Sequence, residues 1–340
     1  MNEQTQRLRH SSDDEPGYSR KRQGRYWAYF DEDGKRVTDR DEIDRLTSIG
    51  LPPAYIDAWF CKDSNGHLQA TGRDARGRKQ YRYHPDFRLR RDKSKYADCL
   101  TFGNALPKLR AKVEKDLRKR KLDRDTVLAA VVRLLDTEYL RIGNEEYAKS
   151  NKSFGATTLR AHHLRSSGGK LRMKFKAKHG IVRDVTITDR NLKRIVGKCQ
   201  DLPGQMLFQY INGDGVPQPV TSADVNDYIR EATGEDFTAK HFRTWGASVI
   251  FFEQLLEAED RRITLRTALE PVAEALGNTV AISRKSYVHP RLIETVREHP
   301  VEPLGKIERP RARRRLSTAE TGFLNFLKRR RRKTSKKANA

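Results

Sequence analysis

Four side chains that lie far apart in the chain could together transfer a phosphodiester: Tyr287, Arg141, Lys178 and Arg243. A tyrosine phenol has a pKa of about 10 and is a weak nucleophile at neutral pH. It becomes effective when cations surround the phosphate that it attacks and another group protonates the leaving oxygen. Two arginines and a lysine supply those needs without a metal ion or a nucleotide. The set therefore favours reversible cleavage of a DNA phosphodiester through a phosphotyrosine.

Each of these residues also has an ordinary structural interpretation. Arg141 falls seven residues after Leu134 and extends an apolar helical stripe with a charge, which must be paired or face a ligand. Its possible ion-pair partners are Asp136, Glu138 and Glu145. Taken alone, Lys178 is a typical hairpin-turn lysine, and Tyr287 and Tyr147 are typical core tyrosines. Taken one by one, these residues favour the ordinary interpretation.

The overall charge points to an anionic partner. The chain has 340 residues, and 70 Lys and Arg against 45 Asp and Glu give a net charge of +25. Such a charge favours binding to nucleic acid or to an acidic membrane surface. No run of 18 apolar residues and no signal-peptide core is present, so we expect a cytoplasmic protein. The three cysteines, Cys61, Cys99 and Cys199, are predicted to be reduced and buried.

Two other classes of phosphate chemistry lack their sequence motifs. No Gly-x-x-x-x-Gly-Lys-Ser/Thr loop is present, which argues against an ATP site. No compact pair of acids suggests a magnesium site for phosphoryl transfer. We therefore expect neither a cofactor nor a required metal.

The pattern along the chain predicts four segments. Residues 1–20 are expected to be a disordered polar segment, 21–92 a small α+β domain, and 93–308 a mostly helical catalytic domain. Residues 309–340 contain 13 Lys and Arg and one acid, Glu320, so they carry +12 of the net charge. We expect this last segment to be a disordered basic tail that tethers DNA, with the apolar stretch 323–327 docking or forming a brief helix.

The small domain is predicted to be rich in strands. A hairpin is expected between residues 26–30 and 35–37, with Gly34 in its turn. Residues 73–83 combine basic side chains with Gln80, Tyr81 and Tyr83, and on a strand the two tyrosines share a face. By composition alone, a DNA-contacting strand and a solvated basic loop fit this segment equally well.

Two features place cations in the helical domain. Residues 171–176 and 181–187 predict a β-hairpin with Lys178 in or near its turn. Thr238 is expected to cap a helix whose first turns carry Lys240 and Arg243. Because cations are unfavourable at a helix N-terminus, a negative ligand is expected there.

Read in order, seven segments resemble the type IB DNA topoisomerases, in the compact poxvirus-like branch found in bacteria. They span most of residues 20–295: 66–74 with 79–81, 141–147, 154–159, 201–204, 240–246, 276–279 and 286–287. Each segment alone is weakly specific, but together and in this order they outweigh the ordinary interpretations of the single residues.

The resemblance implies a role for each basic residue. Tyr287 would attack the phosphorus and form a 3′-phosphotyrosyl link, while Arg141 and Arg243 hold the non-bridging oxygens. Lys178 would protonate the departing 5′ oxygen with help from Arg141, and Lys240 would lie beside the scissile phosphate. The implied DNA contacts are Gln80, Tyr81, Tyr83 and Tyr147.

The sequence departs from the eukaryotic and viral relatives at Asn278, where they carry a histidine. The family's histidine donates a hydrogen bond to a non-bridging oxygen, and an amide can also donate but cannot become cationic. We therefore expect retained activity with a flatter pH dependence around pH 6–7 than a histidine enzyme shows.

The resemblance implies an α+β fold whose small antiparallel-sheet domain and larger mostly helical domain, with its β-hairpin, form a C-shaped clamp around duplex DNA. It implies a monomer, associated with the nucleoid, that relaxes supercoils without ATP or a metal. A tyrosine recombinase is the nearest alternative, although recombinases usually present His-x-x-Arg where this chain has Lys240-x-x-Arg243. An architectural DNA-binding protein without catalysis is the second alternative.

Overall fold

The structure is a computed structural model. It describes residues 8–167, 170–258, 261–301, 304 and 310–338, and the side chains of 91–94, 167 and 330–338 are outside the description. The contacts divide the chain into two compact units, Met1–Ser94 and Lys95–Ala340. The predicted domain boundary after residue 92 lies close to that division.

The first unit is an antiparallel sheet with one helix beside it. Its elements are β1 Gly17–Gln23, β2 Tyr26–Phe30, α1 Arg40–Ser48, β3 Ile56–Cys61, β4 Leu68–Arg73 and β5 Lys79–Tyr83. The strand order is β2-β1-β3-β4-β5. Tyr29, Phe60 and Ala70 of the sheet pack with Leu46 of α1, and their exposed fractions are 4% or less. Burial of these side chains stabilises a sheet that is otherwise rich in charge.

The prediction of disorder over residues 1–20 is wrong for the part that the structure describes. Residues 17–20 belong to β1, and Ser11 is buried with its Oγ hydrogen-bonded to both backbone groups of Leu68, at 3.0 and 3.1 Å. Residues 1–7 lie outside the described residues. The polar composition of this segment is typical of disorder. In the structure, however, Arg20 stacks on Trp27, with its Cζ 4.3 Å from the ring centroid, and this contact helps to order the strand.

The predicted turn at Gly34 forms, with a φ of 77°, but the hairpin around it is minimal. A single bridge joins Phe30 to Arg36, and the main partner of β2 is β1. The missed strand β1 therefore supplies the main pairing of β2, and Arg36 bridges the other edge of β2.

The second unit is mostly helical. Helix α2, Pro85–Leu117, leads into it across the division. Its other elements are α3 Arg124–Glu138, α4 Glu145–Asn151, β6 Leu164–Ser167, β7 Lys170–Lys176, β8 Val182–Ile187, α5 Arg190–Gln200, β9 Gln209–Ile211, β10 Pro217–Pro219, α6 Ser222–Thr233, α7 Ala239–Ala258, α8 Leu265–Leu276, α9 Val280–Ser286, α10 Pro290–Glu298 and α11 Thr318–Ala338. Among the described residues, no helix is long and apolar enough to cross a membrane. The two units confirm the predicted α+β class.

The predicted hairpin around Lys178 is confirmed. Strands β7 and β8 pair antiparallel, and β6 completes a three-stranded sheet in the order β6-β7-β8. Along β7, burial alternates so that Leu171, Met173 and Phe175 face the core. The turn is tight because His179 and Gly180 both have positive φ, 65° and 76°.

The prediction of a disordered tail over residues 309–340 is wrong for much of the described part. Helix α11 lies within this segment, and Phe323 and Leu324 are completely buried. The Phe323 ring packs against Trp245 of α7 with 5.3 Å between ring centroids. The apolar stretch therefore docks as expected. Leu316 and Ala319, which precede it in the chain, are also buried. Residues 309, 339 and 340 lie outside the described residues.

Candidate active site

Arg141 lies in a loop that a left-handed residue directs away from α3. Tyr139, which caps the end of α3, has a φ of 50°, and the chain then continues without regular secondary structure through Leu140 to Arg141. The backbone oxygen of Arg141 accepts a hydrogen bond from Ala156 at 2.8 Å. A side chain on Gly155 would clash with that oxygen, since its Cβ would lie 2.6 Å away. Two of the segments that resemble the family thus hold each other in place.

The structure does not support the interpretation of Arg141 as a structural ion-pair partner of Asp136 or Glu145. Asp136 is bound by Arg110, with Nε to Oδ2 at 2.7 Å, and Glu145 is bound by Arg160 at 2.6 Å. Within the described part of the chain, Arg141 forms no salt bridge. Its guanidinium therefore keeps its charge available for a ligand.

Arg243 of α7 is the buried centre of the site. Only 5% of the residue is exposed, and its guanidinium donates to the backbone oxygens of Tyr139 and of Leu276, the latter at 3.0 Å. Burial, together with the nearby charge of Arg141, lowers the pKa of Arg243 to about 10. The residue still carries its charge at neutral pH, and it ties the Arg141 loop to the end of α8.

Asn278 follows α8, which ends at Gly277 with a φ of 59°. Its Oδ1 accepts a hydrogen bond from Nη2 of Arg141 at 2.7 Å. Because an arginine can only donate, this contact fixes which end of the amide is oxygen. Its Nδ2 is buried and has no partner among the described residues. A buried donor without a partner costs free energy unless a ligand accepts from it.

Tyr287 lies directly after α9 and is half-buried beside Arg243. The Cζ of Arg243 is 4.9 Å from the centroid of the tyrosine ring. Burial raises the pKa of the Tyr287 phenol, but Arg243 and then Arg141 act in the opposite direction more strongly, so its pKa lies below the ordinary value. The phenolate therefore forms more readily than in free tyrosine, and the phenolate is the better nucleophile.

Lys95 of α2 holds the backbone next to this tyrosine. Its Nζ donates to the backbone oxygen of Ser286 and lies 5.5 Å from the ring centroid of Tyr287. Tyr96 packs edge-on against the ring of His289, 5.5 Å away between centroids. Helix α2 thus contacts the residue before Tyr287 and the residue two positions after it.

Two of the predicted basic residues remain at the surface. Lys178 is exposed at the tip of the hairpin, and it makes no hydrogen bond or ion pair with other described residues. Lys240 is exposed in the first turn of α7, three residues before Arg243. The structure brings Arg141, Arg243, Asn278 and Tyr287 together, whereas Lys178 and Lys240 are exposed.

Of the predicted DNA contacts, Tyr81 and Tyr147 are exposed, and Gln80 and Tyr83 are partly buried. On β5 in the first unit, Tyr81 and Tyr83 share a face, with ring centroids 6.2 Å apart and planes at 12°. Gln80 donates to Asp74 at 3.1 Å. In the second unit, Tyr147 of α4 is 46% exposed, as is Tyr81 in the first. Exposed aromatic rings of this kind suit contacts with a nucleic acid.

The residues around the site that the sequence analysis missed include Arg183 and Lys95. Arg183 lies on the same face of β8 as the buried Val185 and Ile187, so its alternation with apolar residues was the available signal. Lys95 carried no such signal, because a contact 191 residues away along the chain leaves no local pattern.

The site consists of two guanidinium groups, one amide donor and one phenol. Among the residues that the structure describes, no three His, Cys, Asp or Glu side chains are grouped so as to hold a metal ion. Arginine and amide N–H groups bind phosphate oxygens, and arginine does so with planar, often paired hydrogen bonds. The arrangement is therefore suited to holding a phosphodiester while a phenol of lowered pKa attacks it.

Two family models match the chain. The model "Eukaryotic DNA topoisomerase I, catalytic core" matches residues 84–306, and the model "Bacterial DNA topoisomerase IB, N-terminal domain" matches residues 26–74. These ranges cover the four residues of the site and strand β4 before the two surface tyrosines of β5.

Two similar viral proteins are named DNA topoisomerase 1B. DNA topoisomerase 1B of Acanthamoeba polyphaga mimivirus is 31% identical over 296 residues, which are 83% of this chain and 88% of that protein. DNA topoisomerase 1B of Vaccinia virus (strain Copenhagen) is 20% identical over 297 residues, 80% of this chain and 90% of that protein. Among solved structures, a XerH site-specific recombinase bound to palindromic difH substrate is 18% identical, with a TM-score of 0.36 over 56% of this chain and 50% of that chain.

Proposed function

The chain belongs to the type IB DNA topoisomerases, and we propose that it relaxes supercoiled duplex DNA with Tyr287 as the nucleophile. The observation that carries this assignment is the convergence of two arginines on one phenol, beside an amide whose buried Nδ2 has no partner among the described residues. The family membership decides against the tyrosine recombinase that the sequence left as an alternative.

The proposed reaction exchanges one phosphodiester for another. The Oη of Tyr287 attacks the phosphorus as the phenol proton passes to solvent, and the bond from phosphorus to O5′ breaks. Lys178 gives a proton to O5′, so a 5′-hydroxyl and a 3′-phosphotyrosyl link are formed. The free strand end rotates, and the reverse reaction then reseals the strand. Because the link conserves the phosphodiester's energy, the cycle needs neither ATP nor a metal.

The surrounding side chains stabilise the transition state in this proposal. Arg141 and Arg243 bind the two non-bridging oxygens as negative charge builds on them, and Asn278 donates from its Nδ2 to one of them. Preorganised donors of this kind typically contribute about 10²–10³-fold each to the rate. Lys240 lies beside the scissile phosphate and adds positive potential.

Relaxation of supercoiled plasmid in EDTA without ATP tests the proposal. Wild-type protein is expected to relax both positively and negatively supercoiled plasmids, and Tyr287→Phe is expected to relax neither. Tyr26→Phe is the matched control, because Tyr26 is 79% exposed in the first unit. A Tyr287→Phe protein that still relaxed DNA would overturn the assignment of the nucleophile. A wild-type protein that binds DNA but never relaxes it would favour an architectural role.

DNA contact by both units is part of the proposal, with the duplex held in a clamp. Gln80, Tyr81 and Tyr83 would contact DNA from the first unit, and Tyr147 from the second. Tyr81→Ala and Tyr147→Ala each remove an exposed ring, so both proteins should fold normally and bind a short duplex more weakly. Unchanged affinity in both would contradict the clamp.

We further propose that the protein acts as a monomer in the cytoplasm, in association with the nucleoid. Light scattering coupled to size-exclusion chromatography should then give a mass near 39.3 kDa. A fluorescent fusion should co-localise with DNA in the cell. A dimer mass would contradict the monomer, and a diffuse fluorescence signal would contradict association with the nucleoid.

A further inference from the structure

Arg183 lies near the site and makes contacts that the proposed roles do not explain. It is the second residue of β8, the strand that leaves the turn containing Lys178, and it pairs in register with Phe175 of β7. Its side chain is partly buried, whereas Lys178 at the tip is exposed. The hairpin therefore has one arginine that is directed toward the protein and one lysine that is directed away from it.

The guanidinium of Arg183 joins the hairpin to the ends of two helices. Its Nη1 donates to the backbone oxygen of Glu274 in the last turn of α8, at 3.1 Å. Its Nη2 donates to the backbone oxygen of Glu138, the last residue of α3, also at 3.1 Å. Carbonyl groups at helix C-termini lack intrahelical partners and carry the negative end of the helix dipole, so a cation is favourable at both.

Each of these helix ends leads directly to a residue of the site. Glu138 is three residues before Arg141, and Glu274 is four residues before Asn278. Gly277 lies close to the same side chain: a Cβ there would be 3.3 Å from Cδ and 3.4 Å from Nη1 of Arg183. One side chain thus fixes the base of the Lys178 hairpin to the two segments that hold Arg141 and Asn278.

Arg183 is not an ordinary ion-pair arginine. Among the described residues it forms no salt bridge, and both of its hydrogen-bond acceptors are neutral backbone oxygens. Arg172 on β7 provides the contrast, since it binds Asp184 at the surface with its side chain 62% exposed. The two arginines share a sheet, but only Arg183 connects that sheet to the site.

We propose that Arg183 is a positioning residue, which holds the hairpin so that Lys178 can reach the leaving O5′. This inference rests on the proposed function, because it concerns the proton that Lys178 gives in that reaction. Without the two contacts of Arg183, the hairpin would move relative to Arg141 and Asn278, and the general acid would lose its alignment. A misplacement of about 1 Å can reduce a rate about 100-fold.

A substrate with sulfur in place of the bridging O5′ isolates this step. Its cleavage breaks the bond from phosphorus to sulfur, and the leaving thiolate needs no proton because a thiol has a pKa of about 8.5. A defect in the general acid therefore disappears on the sulfur substrate, whereas a defect in phosphate binding or folding remains. Single-turnover cleavage of matched oxygen and sulfur duplexes gives the two rates.

The variants to compare are Arg183→Met, Lys178→Ala, the double variant and the control Arg172→Met. We expect Arg183→Met to cleave the oxygen substrate about 100-fold more slowly than wild type and the sulfur substrate at nearly the wild-type rate. Lys178→Ala should show the same pattern, and the double variant should be no slower than Lys178→Ala. Arg172→Met should match wild type on both substrates.

Two results would overturn the proposal. Equal slowing of Arg183→Met on both substrates would mean that the residue acts on phosphate binding or on folding, and unchanged oxygen cleavage would mean that it has no role. If Arg183→Met does not fold, Arg183→Lys decides the question, because one ammonium can replace only part of the paired contact. It should then show a smaller defect, again limited to the oxygen substrate. Failure of wild type on both substrates would instead overturn the proposed function.

Discussion

Glu320 is the one acid in residues 309–340, and its carboxylate accepts two hydrogen bonds from Arg110, at 2.7 and 2.9 Å. It also accepts from Nε1 of Trp245 at 3.1 Å. Arg110 also donates to Asp136, from Nε at 2.7 Å and from Nη2 at 2.8 Å, so this network links α11 to α2, α3 and α7. Since α7 carries Arg243 two residues before Trp245, the C-terminal helix supports the element on which the site is built.

Replacement of Glu320 by Gln is expected to lower the free energy of unfolding by about 3 kcal/mol, because it leaves the buried Arg110 with a single acid. Glu270→Gln is the matched control, as Glu270 forms an exposed pair with Arg266 on α8. Urea unfolding at pH 7 measures both, and the control should change by less than about 1 kcal/mol. Equal effects would show that the network contributes no more than a surface pair.

The Glu320 carboxylate should also make the free energy of unfolding depend on pH in the acidic range. Burial raises the pKa of Glu320, but its hydrogen bonds with Arg110 outweigh that effect and hold the pKa below its usual range. A depressed folded pKa gives stability that is complete above the unfolded value of about 4.3 and is lost as pH falls through the folded value. Wild type should therefore lose more stability than Glu320→Gln between pH 5 and pH 2, and parallel unfolding curves would contradict this.

Two truncations separate the folded part of the tail from its charge. Removal of 318–340 deletes the buried Phe323 and Leu324, and each such loss typically costs about 2–5 kcal/mol, so this protein should unfold at a much lower temperature or fail to fold. Removal of 330–340 should leave the thermal midpoint unchanged, since no residue of the buried network is lost. Equal midpoints for the two truncations would contradict the docking of α11.

The shorter truncation also tests the tether. Residues 330–340 include six Lys and Arg, so their loss should reduce the slope of log affinity against log salt by at most about 5, while single-turnover cleavage at saturating protein stays unchanged. The measurement is binding of a short duplex between 50 and 200 mM salt. An unchanged slope would show that these residues do not contact DNA.

Local patterns predicted the parts of the fold that local interactions determine. The apolar helical stripe that includes Leu134 predicted a helix there, and residues 171–176 and 181–187 predicted the hairpin. The β1 strand and the docked α11 were missed because their polar composition is typical of disorder, and only contacts distant in sequence make them ordered. Arg110 and Glu320, for example, are 210 residues apart.

The site shows the same limit. The residue types at 141, 243 and 287 indicated the chemistry, and the structure brings these residues together. Their supports are backbone oxygens, such as those that accept from Arg243 and Arg183, and a backbone acceptor has no signature in the sequence. The grouping of these side chains could be predicted from the sequence, but the backbone contacts that hold them could not.

The pH dependence of cleavage should report the cations around Tyr287. Because Arg243 and Arg141 lower the pKa of the phenol, single-turnover cleavage should rise with pH and level off below pH 10. Arg141→Gln removes one cation, so the pKa should rise and the loss of rate should be greater at pH 7 than at pH 9.5. Arg141→Lys keeps the charge and should keep the wild-type pH profile at a reduced rate. Parallel profiles for Arg141→Gln and wild type would exclude this electrostatic role.

Asn278 allows the donor and the charge to be tested separately. Its Oδ1 is occupied by Arg141, so its Nδ2 is the group that can donate to a phosphate oxygen. Asn278→Ala should reduce single-turnover cleavage by about 10²-fold, because one preorganised donor is lost. Asn278→His should retain activity and gain a steeper pH dependence around pH 6–7, where an imidazole becomes cationic as pH falls. Asn278→Asp should be the slowest, since a carboxylate neutralises Arg141 and repels phosphate. An unchanged rate in Asn278→Ala would show that the position contributes nothing to cleavage.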